Sequence, residues 1–195
     1  KLVDMAIAYD FDGTLAPGNM QEHSFLPEIG MPKNKFWAES DQLAEKHQAD
    51  NVLTYMNLML KKAKEKDLPV RKQDFINRGK AVTLFDGVES WFNRINNYGR
   101  NLGLRVEHYI ISSGLREMIE GTPIAHEFKA IYASSFKYDP NDVAEWPALA
   151  INFTTKTQYL FRINKGVLDV CDNKKINEFV KMEDRPIPFK RMIFI

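Results

Sequence analysis

Met5-Ala6-Ile7-Ala8-Tyr9-Asp10-Phe11-Asp12-Gly13-Thr14-Leu15 decides how this chain is read. The run from Met5 to Tyr9 is short, apolar and closed by a glycine turn, the pattern of a buried parallel strand. In open α/β sheets, ligands bind in the crevice beyond the carboxyl ends of such strands. Asp10 and Asp12 would then crowd one crevice, and two carboxylates so close repel each other unless a cation offsets the charge. An Asp-Gly pair alone is ordinary turn chemistry. The stretch from Asp10 to Leu15, delivered by an apolar strand, is far more specific.

The rest of the composition is compatible with that reading. A length of 195 residues predicts one domain, or a core with a modest insertion. The chain is 44% hydrophobic and 12% aromatic, enough for a packed core and unlike a disordered polymer. A net charge of +1 supplies no global field to draw it to nucleic acid or an anionic membrane, so neither is expected as a partner. No apolar run is long enough to span a bilayer. Cys171 is the single cysteine. It excludes an internal disulfide, reads as a small buried hydrophobe, and fits a reducing, cytoplasmic setting.

Downstream of the motif, Pro17, Gly18, Pro27, Gly30 and Pro32 punctuate a stretch that reads as loop. Helical spacing follows: Phe36, Ser40, Leu43 and His47 share one face, then Val52, Met56, Met59 and Ala63 share another, with Asp50 as the cap. The Met56 and Met59 stripe reads as packing between helices. A third helix is expected through Asp74 to Arg78. From Phe85 onward strands and helices alternate: a helix around Val88, Trp91, Phe92 and Ile95, a strand Val106 to Ile111, a short helix from Leu115, and a strand Ala130 to Ala133. Ser135 to Ala150 suggests an antiparallel excursion. Thr155-Lys156-Thr157-Gln158 has capping-box spacing and opens a helix ending at Gly166. A helix over Asn173 to Val180 and a buried strand over Met192 to Ile195 complete the expectation.

Alternating strands and helices predict an α/β fold, a Rossmann-like, mostly parallel sheet covered by helices. The expected core comprises residues 1–17 and 86–195. Residues 18–85 carry no strand signal and read as a small inserted helical cap over the crevice, suited to excluding water. Asp10, Ser112 and Lys156 can converge at the strand ends. Phosphoryl transfer needs an attacking oxygen, a proton donor for the leaving group, and positive charge around the equatorial oxygens. Asp10 could supply the first as an aspartyl-phosphate, and Asp12 could serve as acid and then base. Ser112, Ser113 and Gly114, opening a helix, suit a phosphate oxygen. Lys156 offers a compact charge to Asp10 and the phosphoryl group, with Lys165 as its competitor for that role. Mg²⁺ matches a carboxylate-plus-phosphate donor set. His23, His47, His108 and His126 show no mutual ligand spacing.

The first motif resembles that of the haloacid dehalogenase superfamily, whose phosphatase branch carries Asp-x-Asp-Gly-Thr. Ile110-Ile111-Ser112-Ser113-Gly114 resembles the second motif, and the order of features resembles phosphoserine-phosphatase-like members with a helical cap. The resemblance implies Asp10 as nucleophile, Asp12 as acid/base, Ser112 at the phosphate, and Lys156 or Lys165 as the third-motif lysine. It also implies Mg²⁺ on the Asp10 carboxylate and the Asp12 main-chain carbonyl. Family members place a fourth, acidic motif after a strand like Met192 to Ile195. This sequence ends where that pair would begin, so a natural protein continuing past Ile195 is expected, and the chain as given should hold metal weakly. The expected function is a Mg²⁺-dependent phosphatase for a small phosphorylated metabolite. A phosphotransferase of the same superfamily and a noncatalytic phosphate-binding module remain alternatives.

Overall fold

The computed structural model describes residues 2–195. Strand β1 (Val3–Tyr9) is followed by a run of helices with no intervening strand: α1 (Phe25–Glu28), α2 (Lys33–His47), α3 (Asn51–Glu65) and α4 (Lys72–Gly79). Then come α5 (Val88–Asn101), β2 (Leu104–Leu115), α6 (Arg116–Glu120), β3 (Phe128–Tyr138) and β4 (Ala144–Leu149). The chain closes with α7 (Lys156–Lys165), α8 (Asn173–Asn177) and β5 (Met192–Phe194). The sheet runs β4-β3-β2-β1-β5. Four strands are parallel and β4 is antiparallel to β3, the α/β, Rossmann-like architecture expected from the sequence.

Strand alternation splits the interior into two layers, one on each face of the sheet. Ile7 and Tyr9 of β1 and Ile110 of β2 enter one core with Phe92 of α5 and with Phe36, Met56 and Phe75 of the inserted helices. Ala6, Ala8, Tyr109 and Ile111 enter the other, against Tyr159 and Ile163 of α7. The Met56 and Met59 stripe is fully buried packing.

The insertion leaves and rejoins the core at one point. The Phe85 amide donates to the Leu15 carbonyl at 2.9 Å. His23 reinforces the junction, donating through Nε2 to Pro17 O (2.9 Å) and accepting from Thr83 N at Nδ1 (3.2 Å). Farther out, α4 and α6 touch backbone to backbone. A Cβ added to Gly79 would lie 1.9 Å from Met118 O, and one on Gly121 would lie 1.9 Å from Ile76 O. Only glycine permits that approach.

Several local expectations are corrected. The stretch expected as plain loop contains a 3₁₀ turn at Met20–Glu22 and helix α1, because Met20, Phe25 and Leu26 bury their side chains there. On α2, Ala44 and not His47 completes the buried face. β2 continues through Ser112-Ser113-Gly114 to Leu115, so these residues lie in a strand end and not at a helix start. α7 does begin at Lys156 and ends at left-handed Gly166, but Thr155 makes no cap hydrogen bond. Asn152 organises that turn instead, its Oδ1 accepting from Thr154 N (3.1 Å) and Thr155 N (3.0 Å). α8 stops at Asn177. β5 is an edge strand with Ile193 and Phe194 about half exposed, and Cys171 is exposed as well. Among the described residues no helix is long and apolar enough to cross a membrane.

Candidate active site

The register of the sheet brings the two motifs to one edge. Tyr9 pairs with Ile110 in parallel, so Asp10 and Ser112 emerge side by side at the carboxyl ends of neighbouring strands. Asp10 is anchored from its own backbone, its N–H donating to Ile195 O at 2.8 Å. Its carboxylate is then held at both oxygens. Oδ1 accepts from Phe11 N at 2.8 Å, and Oδ2 accepts from Lys156 Nζ at 2.6 Å. The lysine side chain is buried to 8% exposure, against 28% for Asp10. Lys165 lies elsewhere, donating to Ile176 O and Glu178 O.

Asp12 sits in a different environment. Its Oδ1 accepts from Met20 N at 2.9 Å. Burial is the main influence on its carboxyl and pushes the pKa up to about 7, with the neighbouring Asp10 charge adding to the rise. Gly114 presses against it: a Cβ there would fall 3.0 Å from Asp12 Oδ2 and 2.2 Å from Met20 Cε. Two carboxylates thus share one strand end, one paired with a lysine and the other positioned to carry a proton near neutrality.

The second motif is bent. Ser112 pairs with Ala133 and Leu115 with Ser134, so Ser113 and Gly114 bulge out of register between them. Ser112 is fully buried and its Oγ accepts from Gly114 N at 3.0 Å. The Ser113 carbonyl accepts from Tyr55 Oη of α3 at 2.6 Å, while Ser113 Oγ is buried without a partner. A cavity of about 450 Å³ opens here, with Asp12, Ser113 and Gly114 on one side. Trp37 of α2, Tyr55 of α3 and Phe153 supply aromatic surface. Asp50 and Asn152 also line it and are joined by a 2.6 Å hydrogen bond.

Of the residues named from sequence, Asp10 and Lys156 are in direct contact, Asp12, Ser113 and Gly114 line the cavity, and Ser112 underlies the bulge. Gln21, which also lines the cavity, falls in the stretch from Met20 to Phe36 whose cap side chains were expected near the crevice, whereas Trp37, Tyr55, Asp50 and Asn152 were not anticipated as site residues. Asp50 was legible only as a helix cap, a role it does fill by accepting from Val52 N and Leu53 N.

No family model matches the chain. It is 29% identical over 215 residues to an uncharacterized protein of Borreliella burgdorferi, covering 98% of this chain and 73% of that protein. Among solved structures it resembles a HAD family hydrolase from Salmonella enterica serovar Typhi, with TM-score 0.62, 16% identity and 99% of this chain covered. This chain spans 56% of the length of that hydrolase. A substrate-bound phosphoserine phosphatase superposes with TM-score 0.60 and 13% identity, over 100% of this chain and 78% of that one. A phosphoserine phosphohydrolase-like protein from Francisella tularensis matches with TM-score 0.54 and 18% identity, over 85% and 74% of the two chains. The fold is therefore the one these solved hydrolase and phosphatase structures share, as the first motif led one to expect.

Proposed function

We propose that the protein is a Mg²⁺-dependent phosphatase that hydrolyses a small phosphate monoester through an aspartyl-phosphate, in the cytoplasm. The observation that carries this reading is the 2.6 Å contact between Lys156 Nζ and Asp10 Oδ2, beside an Asp12 carboxyl raised to about 7. An Asp10 oxygen attacks phosphorus, and the bond from phosphorus to the ester oxygen breaks. Protonated Asp12 gives its proton to the departing alkoxide. The Asp12 carboxylate then takes a proton from water as the water oxygen attacks the aspartyl-phosphate, releasing phosphate and restoring both side chains. Lys156 offsets charge on the phosphoryl oxygens. Ser112 Oγ accepts from Gly114 N, which leaves its own proton free to donate to a phosphate oxygen. Residues 18–85 act as a cap that shields the reaction from water.

Among the described residues no three His, Cys, Asp or Glu form a metal cluster. The Asp10 carboxylate and Asp12 main-chain carbonyl remain as oxygen donors, a set that suits Mg²⁺ in company with phosphate and water. Bound there, the ion would neutralise charge on the phosphoryl group. The test is phosphate release from an aryl phosphate, with and without Mg²⁺, beside Asp10→Asn. Metal-dependent release that the substitution abolishes supports the reading. Release that persists in Asp10→Asn overturns it.

A further inference from the structure

The cavity has a chemistry of its own, apart from the groups proposed to handle phosphate. Asp12, Ser113 and Gly114 line the 450 Å³ cavity, so under the phosphatase reading it is the space open to the alcohol of a substrate phosphorylated at Asp10. No lysine, arginine or histidine lines that space. Lys156 has its Nζ 5.4 Å from the Phe153 ring centroid and is committed to Asp10, and Lys33, behind Trp37, is paired with Glu22. Asp41 and Asp50 both line the cavity. Asp50 is fully hydrogen-bonded, whereas Asp41 makes no ion pair among the described residues. Trp37 and Tyr55 meet edge to face, centroids 5.7 Å apart, and Phe153 adds a third ring. Gln21, only 1% exposed, also lines the cavity, and its Oε1 has no hydrogen-bond partner. A buried acceptor left empty is costly and calls for a donor.

Aromatic faces, carboxylates and an unfilled acceptor together describe a receptor for a cation. Resting on the phosphatase reading, we propose that the cavity takes the phosphate monoester of an amino alcohol, its ammonium group lodged among Trp37, Tyr55, Asp41 and Gln21. A substrate carboxylate would meet Asp41 and Asp50 with no free cation to pair it. The preference is therefore for a cationic alcohol without a carboxylate, which differs from the phosphoserine named for the structural relatives.

The test separates binding from turnover. The Asp10→Asn variant, with Mg²⁺ present, is titrated calorimetrically with O-phosphoethanolamine, phosphocholine, glycerol 1-phosphate and O-phosphoserine. The two cationic esters should bind about tenfold more tightly than glycerol phosphate, with phosphoserine weaker than phosphoethanolamine. Phosphoethanolamine ahead of phosphocholine supports donation to Gln21, and parity supports recognition by the aromatic faces alone. Added Asp41→Asn or Trp37→Leu, each checked for an intact melting transition, should shrink the cationic advantage about threefold or more. Equal binding of all four esters, or no measurable binding, overturns the inference. Cation-selective binding to a wild-type protein that hydrolyses nothing would sink the phosphatase reading and leave this one standing. Hydrolysis without cation selectivity would do the reverse.

Discussion

The Asn152 amide donates to Asp50 Oδ2 at 2.6 Å and so joins the first turn of α3 to the turn that presents Lys156. Each partner also organises its own segment. Asp50 Oδ1 caps α3 through Val52 N and Leu53 N, and Asn152 Oδ1 collects Thr154 N and Thr155 N just ahead of the lysine. A single side-chain contact therefore ties an inserted helix to the group that faces Asp10.

Removing either partner should have different consequences. Asp50→Ala loses a helix cap and should cost about 1–2 kcal/mol in urea unfolding. Asn152→Ala loosens the turn before Lys156, so its main effect should be a fall in kcat of about tenfold or more. If Asn152→Ala leaves turnover untouched, the turn does not position Lys156.

Lys156 has the clearest expected effect on activity. Lys156→Ala should lower kcat by about 10²–10³-fold, the scale for removing one electrostatic stabiliser of a transition state. Lys165→Ala, which deletes contacts only to Ile176 O and Glu178 O, should leave kcat within about twofold. Parallel kinetics on the two variants decide which lysine serves the site.

Gly114→Ala tests the packing of the second motif onto the first. The added methyl meets the mobile end of Met20 and the Asp12 carboxyl together. Displacing Asp12 should cost about 10²-fold in kcat, out of proportion to any loss of thermal stability. A variant that loses stability but keeps full turnover would contradict that account.

A pH effect on stability should come from beneath the site. Trp91 Nε1 donates to Tyr9 Oη, which donates to His108 Nδ1, and His108 Nε2 donates to Asn96 Oδ1, each at 2.9 Å. Burial holds the His108 pKa down at about 4, against an ordinary 6.5. Between those values the unfolded chain binds a proton at this site that the folded chain does not, so the stability His108 contributes is lost as pH drops from 6.5 to 4, against the opposite trend from the raised Asp12 carboxyl. The group should account for about 2 kcal/mol of that loss. The urea-midpoint difference between the wild-type protein and His108→Gln should shift in favour of the variant as pH drops through this range, and a difference that stays constant with pH would rule the histidine out.

What could be read in advance follows the range of the interactions. The β1 motif and the strand–helix alternation are local patterns, and both appear where periodicity put them. β5 was misjudged because an apolar run looks the same at a sheet edge as in its centre, and only strand order distinguishes them. The end of β2 was misjudged because a bulge at Ser113 and Gly114 depends on pairing with β3, a partner distant in sequence. Lys156 and Lys165 could not be separated in one dimension. They occupy opposite ends of α7, and only the docking of that helix turns its start toward Asp10. The cavity was the least legible feature, since Gln21, Trp37, Tyr55 and Asn152 come from four segments with no shared spacing.

The glycine contact between α4 and α6 bears on how a ligand reaches the cavity. With Gly79 and Gly121 abutting and Phe36, Met56 and Phe75 rooted in the core beneath, the inserted helices cannot swing away as one rigid lid. Prising them off would expose a shared hydrophobic interior, whereas parting Asp50 from Asn152 breaks one hydrogen bond at a cavity wall. That wall is held at two points, by the Asn152 amide on Asp50 and by the Tyr55 hydroxyl on the Ser113 carbonyl, so a ligand entering there meets a seam of hydrogen bonds and not a seam of packed side chains.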